Sequence, residues 1–417
     1  MSHTHSHSHV DGSQPDIGLR SRIVVLAILA LAGIASVVGV VHFWPDSSKT
    51  DGLAGSVGFA APGVTFATAT IDQVAKACAL SDGTDGQMAG SPVVDGTCGT
   101  ITATIGDGPD TDRQVQLQVP PDVSKVELGE GDEITVQLTP PTDGQPGVAS
   151  YYGTERSTPL GVLLVAFVLV VLVVARFRGL MALIGLAFSG AVIALFVLPA
   201  LLTGESAIPV AVAGSTAIMF VVLFTTHGLS MRTATALVGT LAGVAVSAVV
   251  GAWAVGSAHL TGVANEGSTI LQSFAGGLDF QGLLVAAIII AGLGVLNDVT
   301  ITQASAVWEL RAASPDLSRR DAYRSGMRIG RDHIASTIYT IVFAYTGTAL
   351  TVLLVISLYD RPFLSLIGTE EIAEEVVRAL ASSIGLVLAV PLTTVIAALT
   401  IGAPGQVPNG RRRRMPR

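Results

Sequence analysis

The chain has 417 residues, 50% hydrophobic and 13% charged, with a mean hydropathy of +0.63 and a formal net charge of −8. Soluble globular proteins carry about 25% charged residues, so this composition with its long uncharged runs excludes an ordinary aqueous domain and indicates an integral membrane protein. Acidic residues concentrate between positions 46 and 155 and arginines in a few short loops and the tail, which argues against nucleic-acid binding and makes the basic runs a topological signal.

Residues 1–22 are polar and histidine-rich, too polar to build a core. His3, His5, His7 and His9 alternate along this cytoplasmic tail and form a weak candidate site for zinc, nickel or copper. A plain solvated tail is the competing reading, and the sequence names no other cofactor. The run 23–41 is uncharged and apolar, with Arg20 and Arg22 before it and Trp44 after it. A cleaved signal has a shorter apolar core of about 7–15 residues, so 23–44 reads as an uncleaved transmembrane anchor.

Residues 45–156 change character. VTFATATI, CGTITATIG, RQVQLQV and EITVQLT alternate with period two between Gly, Pro and Asp. That pattern predicts short antiparallel strands in a small extracytoplasmic β-rich domain, a barrel or sandwich. The segment contains no histidine, so neither a Ser-His-Asp triad nor a His-ligated metal can be built within it. Cys78 and Cys98 both fall here; the outer compartment makes them a candidate disulfide, with two unpaired thiols as the alternative.

Residues 157–402 form the predicted membrane domain. Uncharged runs cover 157–175, 179–204, 206–226, 233–258, 280–297, 334–359 and 379–402. About 20 residues span a bilayer core, so with the anchor the expectation is about eight transmembrane helices in a mainly α bundle. Two outer connections, 259–279 and 360–378, are longer than joining demands. The second holds Glu370, Glu371, Glu374, Glu375 and Arg378. Glu374 and Arg378 are spaced as a supportive i, i+4 pair on a helix starting near Glu370.

The basic residues orient this arrangement. With a cytoplasmic N-terminus, Arg20, Arg22, Arg176, Arg178, Arg232, Arg311, Arg319, Arg320, Arg324, Arg328, Arg331, Arg411 to Arg414 and Arg417 are all inside. Only Arg361 and Arg378 occupy short outer loops. The positive-inside rule therefore places both termini, including the basic tail 403–417, in the cytoplasm of a multi-pass plasma-membrane protein.

The most unusual stretch is 292–311, GLGVLNDVTITQASAVWELR. Asp298, Thr302, Ser305 and Glu309 are spaced i, i+4, i+7 and i+11, one stripe of a helix that begins apolar. An Asp at the bilayer centre costs about 2.5–3.5 kcal/mol on insertion scales, so such residues usually face a bundle interior or cavity. Near the interface the cost is much smaller, and headgroup water would satisfy it. Arg331, Asp332 and His333 open the next membrane helix. They read either as a solvated helix start or as a salt-bridge and proton-relay cluster with Asp298 or Glu309 at an inner gate. Gln303 and Thr302 line a path or pack polar helices together. Tyr345, with Thr346, Gly347 and Thr348, makes the following segment polar, and Pro391 can kink the last helix.

Several blocks resemble one family. NDVTITQASAVWELR, RSGMRIGRDHIASTIYT, FAYTGTAL and EEIAEEVVRALASSIGLVLAVPLTT, with THGLSMRTATALVGTLAG upstream, are similar to the signature blocks of YibE/F-like membrane proteins. The resemblance covers about 160–399 and is strongest over 295–394. SYYGTERSTPL resembles the end of the N-terminal extension of the longer, YibE-like members. The family commonly carries two acidic residues where this chain has Asn297-Asp298, which weakens any requirement for a carboxylate at 297. The resemblance implies a multi-pass, permease-like protein and supplies no substrate.

No Walker A, zincin or G-x-S-x-G motif occurs, so an enzyme is the least supported class. The leading expectation is proton- or cation-coupled transport of an unidentified solute, with Asp298, Thr302, Gln303, Glu309, Arg331, Asp332, His333 and Tyr345 as transport or gating candidates. The alternative is a non-transporting scaffold or envelope assembly factor whose outer domain binds a partner, a protein or an envelope polymer. The lipid bilayer is the one partner composition requires, and a homo-oligomer is compatible with it.

Overall fold

The computed structural model describes residues 18–46, 63–74, 99–108, 110–119, 128–140, 148–358 and 362–402. The candidate metal ligands His3, His5, His7 and His9, the pair Cys78 and Cys98, and the tail 403–417 lie outside the described residues. In chain order the elements are α1 (Leu19–His42), β1 (Thr65–Val74), β2 (Thr100–Ile105), β3 (Gln114–Gln118), β4 (Glu133–Leu138), β5 (Ala149–Thr154) and α2 (Ser157–Val192). A π-helical turn (Ile193–Val197) leads to α3 (Leu198–Leu202), α4 (Ala207–His227), α5 (Met231–Ser257), α6 (Glu266–Phe274) and α7 (Phe280–Ala313). The last elements are α8 (Arg319–Thr348), α9 (Leu350–Ser357), α10 (Phe363–Ile367) and α11 (Glu370–Thr400). Two compact units result, one over 55–174 and one comprising 1–54 with 175–417.

The first unit is an antiparallel sheet in the order β3-β2-β1-β4-β5, curled so that β3 and β5 approach each other. The alternation that predicts the strands also sorts their faces. Ala69, Ile71, Ile101, Ala103, Ile105, Leu117, Ile134 and Val136 are buried, while the residues between them point outward. Each large aliphatic chain buried this way contributes about 1.5–3 kcal/mol. The outer face is polar: Asp72 accepts from Thr104 Oγ1 at 2.7 Å and Gln114 Nε2 at 3.1 Å. These two bonds, Thr104 first, hold its carboxyl below the usual carboxylate range. The fifth strand, over ASYYGT, lacks a clean period-two pattern and was not among the strands expected from sequence; it pairs with β4 through a register shift.

In the second unit α5, α7 and α11 form a central trio, with α8 against α7 and α11, and α4 against α7 and α1. Small residues set the spacing. Gly239, Gly243, Ser247 and Gly251 recur at i, i+4 along α5, giving the small-residue ridge that lets membrane helices approach. A Cβ at Gly243 would stand 2.7 Å from Leu296 Cδ2 and 3.1 Å from Ala389 Cβ. On α8, a Cβ at Gly330 would stand 2.6 Å from Val390 Cγ1. Polar groups bridge the same seams: Ser36 Oγ donates to Ala213 O at 3.0 Å between α1 and α4, and the hydroxyls of Thr240 and Thr300 are 2.6 Å apart between α5 and α7. Buried Ile288, Ile289, Leu296 and Leu386 fill the space between.

The outward faces are apolar too. Leu31, Val37, Leu163, Val173 and Trp253 are among many large hydrophobic side chains left exposed on α1, α2 and α5. So many exposed apolar side chains on long apolar helices mark a membrane protein. Six described helical stretches are long and apolar enough to cross a bilayer, and the bent pair α8–α9 is a seventh if it forms one span. The difference from the eight expected runs lies in 157–202, where two runs merge into one 46-residue helical stretch. Unbroken, it would extend about 69 Å at about 1.5 Å per residue, twice the ~30 Å hydrocarbon thickness. It is broken at Arg176, whose φ of 52° and ψ of −130° are non-helical. A second irregularity, the π-helical turn, sits just before Pro199, which removes a helical N–H.

Candidate functional site

The bend between α8 and α9 is 65°. Its cause is local. Gly347 lowers helix propensity, and Thr348 turns its hydroxyl back onto Tyr345 O at 2.8 Å, beside the Ala349 N–H that bonds the same carbonyl at 3.0 Å. Opposite the bend, α7 presents Ala287, Ala291 and Gly292, side chains too small to fill the space. A cavity of about 860 Å³ results between α7, α8–α9 and α11.

Its walls are mostly apolar, including Val352 and Leu353 of α9 and Leu386 of α11, with polar groups from Tyr345, Thr348 and Ser382. The charged lining residues are Glu371, Glu374, Glu375 and Arg378, all from the first turns of α11. Glu374 is 4% exposed, and its Oε1 accepts no hydrogen bond from any described residue. Arg378 NH1 donates to Glu375 Oε1 at 2.7 Å, while its Nε meets no described partner. The sequence expectation paired Arg378 with Glu374 at i, i+4; the structure pairs it at i, i+3 and leaves Glu374 facing the cavity wall.

The lip of the cavity is also held by a carboxylate. Glu370 Oε1 accepts from both the N–H and the hydroxyl of Thr261, tying the loop after α5 to the start of α11. Gly262 follows with φ +80°, where a Cβ would overlap Phe280 O, so only glycine lets the loop pass the start of α7. Gln281 Nε2 donates to Leu260 O at 2.6 Å, and Asn265 closes the segment with a capping box on α6. Ala264 and Asn265 of this segment reach the cavity.

The residues singled out from sequence fall in three places. Tyr345 is half-buried and lines the cavity. Gln303 is buried in a helix seam, where its Nε2 donates to Gly326 O at 2.8 Å and Thr394 Oγ1 at 2.7 Å. Asp298, Thr302, Glu309, Arg331 and Asp332 are exposed, and His333 is half-buried. Among the described residues no ion pair joins Asp298 or Glu309 to Arg331 or His333. Glu309 instead lies 3.7 Å from Arg232 on α5, and Asp298 acts electrostatically on His227 alongside Arg178 and Arg232. The stripe of α7 therefore faces the α4–α5 connection rather than α8, because Gly326 and Gly330 turn the close-packed face of α8 toward Gln303 and Val390. Glu374 was the residue sequence reasoning missed. The signal was the density of EEIAEE, but a Glu four before an Arg looks like a solvated helical pair until burial is known. No group of three or more His, Cys, Asp or Glu able to hold a metal occurs among the described residues.

Residues 163–403, more than half of the chain, match the family model described as YibE/F-like protein. No curated protein and no solved structure matches the chain.

Proposed function

We propose that this chain, which belongs to the YibE/F-like family, is a permease-like protein of the plasma membrane that moves a solute through the cavity beside the α8–α9 bend. The carrying observation is that cavity: a broken helix, a buried carboxylate and small-residue walls in one place. Discontinuous helices and intramembrane ionisable groups are the usual marks of secondary-transporter sites. With the 157–202 stretch counted as two spans broken at Arg176, eight crossings put both termini in the cytoplasm and the curled sheet outside, as the arginine distribution favours. Energy would come from a coupled proton or cation, in keeping with a sequence that has no Walker A motif.

The experiment has two stages. Metabolite and ion contents of cells lacking and overproducing the protein identify the solute, and proteoliposomes then measure its flux. Ala291→Phe puts a ring into the cavity and should lower that flux severalfold in protein that still melts like wild type. Flux unchanged by Ala291→Phe removes the cavity from the path. Absence of flux for every enriched species would turn the reading toward a membrane scaffold acting through the outer sheet.

A further inference from the structure

We infer that the cavity binds a monovalent organic cation, with the Glu374 carboxylate as its counter-ion; this rests on the cavity being the solute's path. Three carboxylates, Glu371, Glu374 and Glu375, and one guanidinium, Arg378, line it. With all four ionised the wall carries a formal charge of −2, three negative against one positive. The guanidinium donates through NH1 to Glu375 at 2.7 Å, while its Nε meets no described partner. Glu374 has no such partner: it is 4% exposed and one of its oxygens accepts nothing. A carboxylate buried without a hydrogen-bonded cation is costly by several kcal/mol; a proton relieves that cost, and so does a positive charge arriving in the cavity.

The rest of the lining selects the kind of cation. A bare metal ion requires several oxygen ligands in its first shell, whereas Glu374 shares its cavity with Ala287, Val352 and Leu353, and no metal-holding group of acids or histidines occurs among the described residues. Apolar walls around 860 Å³ suit a solute with hydrocarbon or aromatic surface around its charge. Tyr345 adds an aromatic ring, whose face attracts cations. An anion of the same size would meet three carboxylates against one arginine.

The test uses the purified full-length protein in nanodiscs, with tetraphenylphosphonium as the cationic probe and tetraphenylborate as an anion of matching shape, both by equilibrium dialysis. Wild type should bind tetraphenylphosphonium saturably and prefer it to tetraphenylborate. Glu374→Gln should weaken phosphonium binding by roughly tenfold or more, the loss of one desolvated charge partner, while Glu266→Gln, exposed outside the cavity, should not. Absence of saturable phosphonium binding to folded wild type, equal or better borate binding, or full affinity in Glu374→Gln would each overturn the inference. The borate comparison needs no variant, so it stands even if Glu374→Gln fails to fold. Glu374-dependent binding in protein that moves no solute would refute transport and leave the cation site standing; Ala291-sensitive flux without phosphonium binding would do the reverse.

Discussion

Replacing Gly243 by Leu tests the packing that builds the whole helical unit. Even a single Cβ there would sit 2.7 Å from Leu296 Cδ2 and 3.1 Å from Ala389 Cβ, on two different helices. Ordinary carbon contacts lie at about 3.5–4.0 Å, so one methyl already demands a shift of nearly an ångström on the α7 side, and Leu adds three more carbons. Overpacking costs about 1–3 kcal/mol for added methylenes, and a side chain wedged between two helices belongs at or above the top of that range. The glycine-to-leucine gain in helix propensity is under about 1 kcal/mol and offsets only part of it. For a unit of this size 1 kcal/mol moves the midpoint by about 2–4 °C, so the net loss should appear as roughly 5–10 °C in a detergent melt read by size-exclusion fluorescence. Gly256 on the same helix has nothing within 4 Å of its would-be Cβ. Gly256→Leu should melt within about 2 °C of wild type, since only the propensity term acts. Equal midpoints for the two variants would refute the close approach of α5 to α7 and α11.

Gln303→Leu removes two hydrogen bonds from a buried seam while keeping nearly the same volume; at roughly 0.6–1.7 kcal/mol per interhelical bond, it should lower the melting midpoint less than Gly243→Leu does. Arg311 is 4% exposed and donates to Pro315 O at 2.8 Å and to Gly402 O at 2.6 Å. Arg311→Gln should cost about 1.5–3 kcal/mol per hydrogen bond lost from the charged group, and protease sensitivity after α11 should rise; an unchanged digestion pattern would count against that clasp. Asp72 has a depressed folded pKa, so its contribution to sheet stability is fully present above the ordinary carboxylate range and is lost as pH falls through the lower folded value. Amide protection factors in β1 and β2, referred to the intrinsic exchange rate at each pH, should therefore fall below about pH 4, and Asp72→Asn should remove that acid dependence; an identical profile in both proteins would show that Thr104 and Gln114 do not hold the carboxylate.

What the sequence determined on its own was the class of each segment. A run of apolar residues long enough to cross a bilayer can bury its backbone polar groups only as a helix, so α1, α4, α5 and α7 were legible from hydropathy alone. Period-two alternation similarly marked β1 to β4, because side chains on a strand alternate faces whatever the neighbours are. The family blocks over 295–394 were legible for the same reason, as linear text. Tertiary structure decided which faces meet. Gln303 and Asp298 lie five residues apart on one helix, yet one is locked in a seam and the other exposed, because the seam is set by glycines on α5 and α8 that are remote in sequence. Glu374 and Glu375 are adjacent letters in EEIAEE, but only packing makes Glu375 the hydrogen-bond partner of Arg378 and Glu374 a buried carboxylate in the cavity lining. Burial depends on contacts between distant segments, and a charge changes its meaning with burial more than any other residue does.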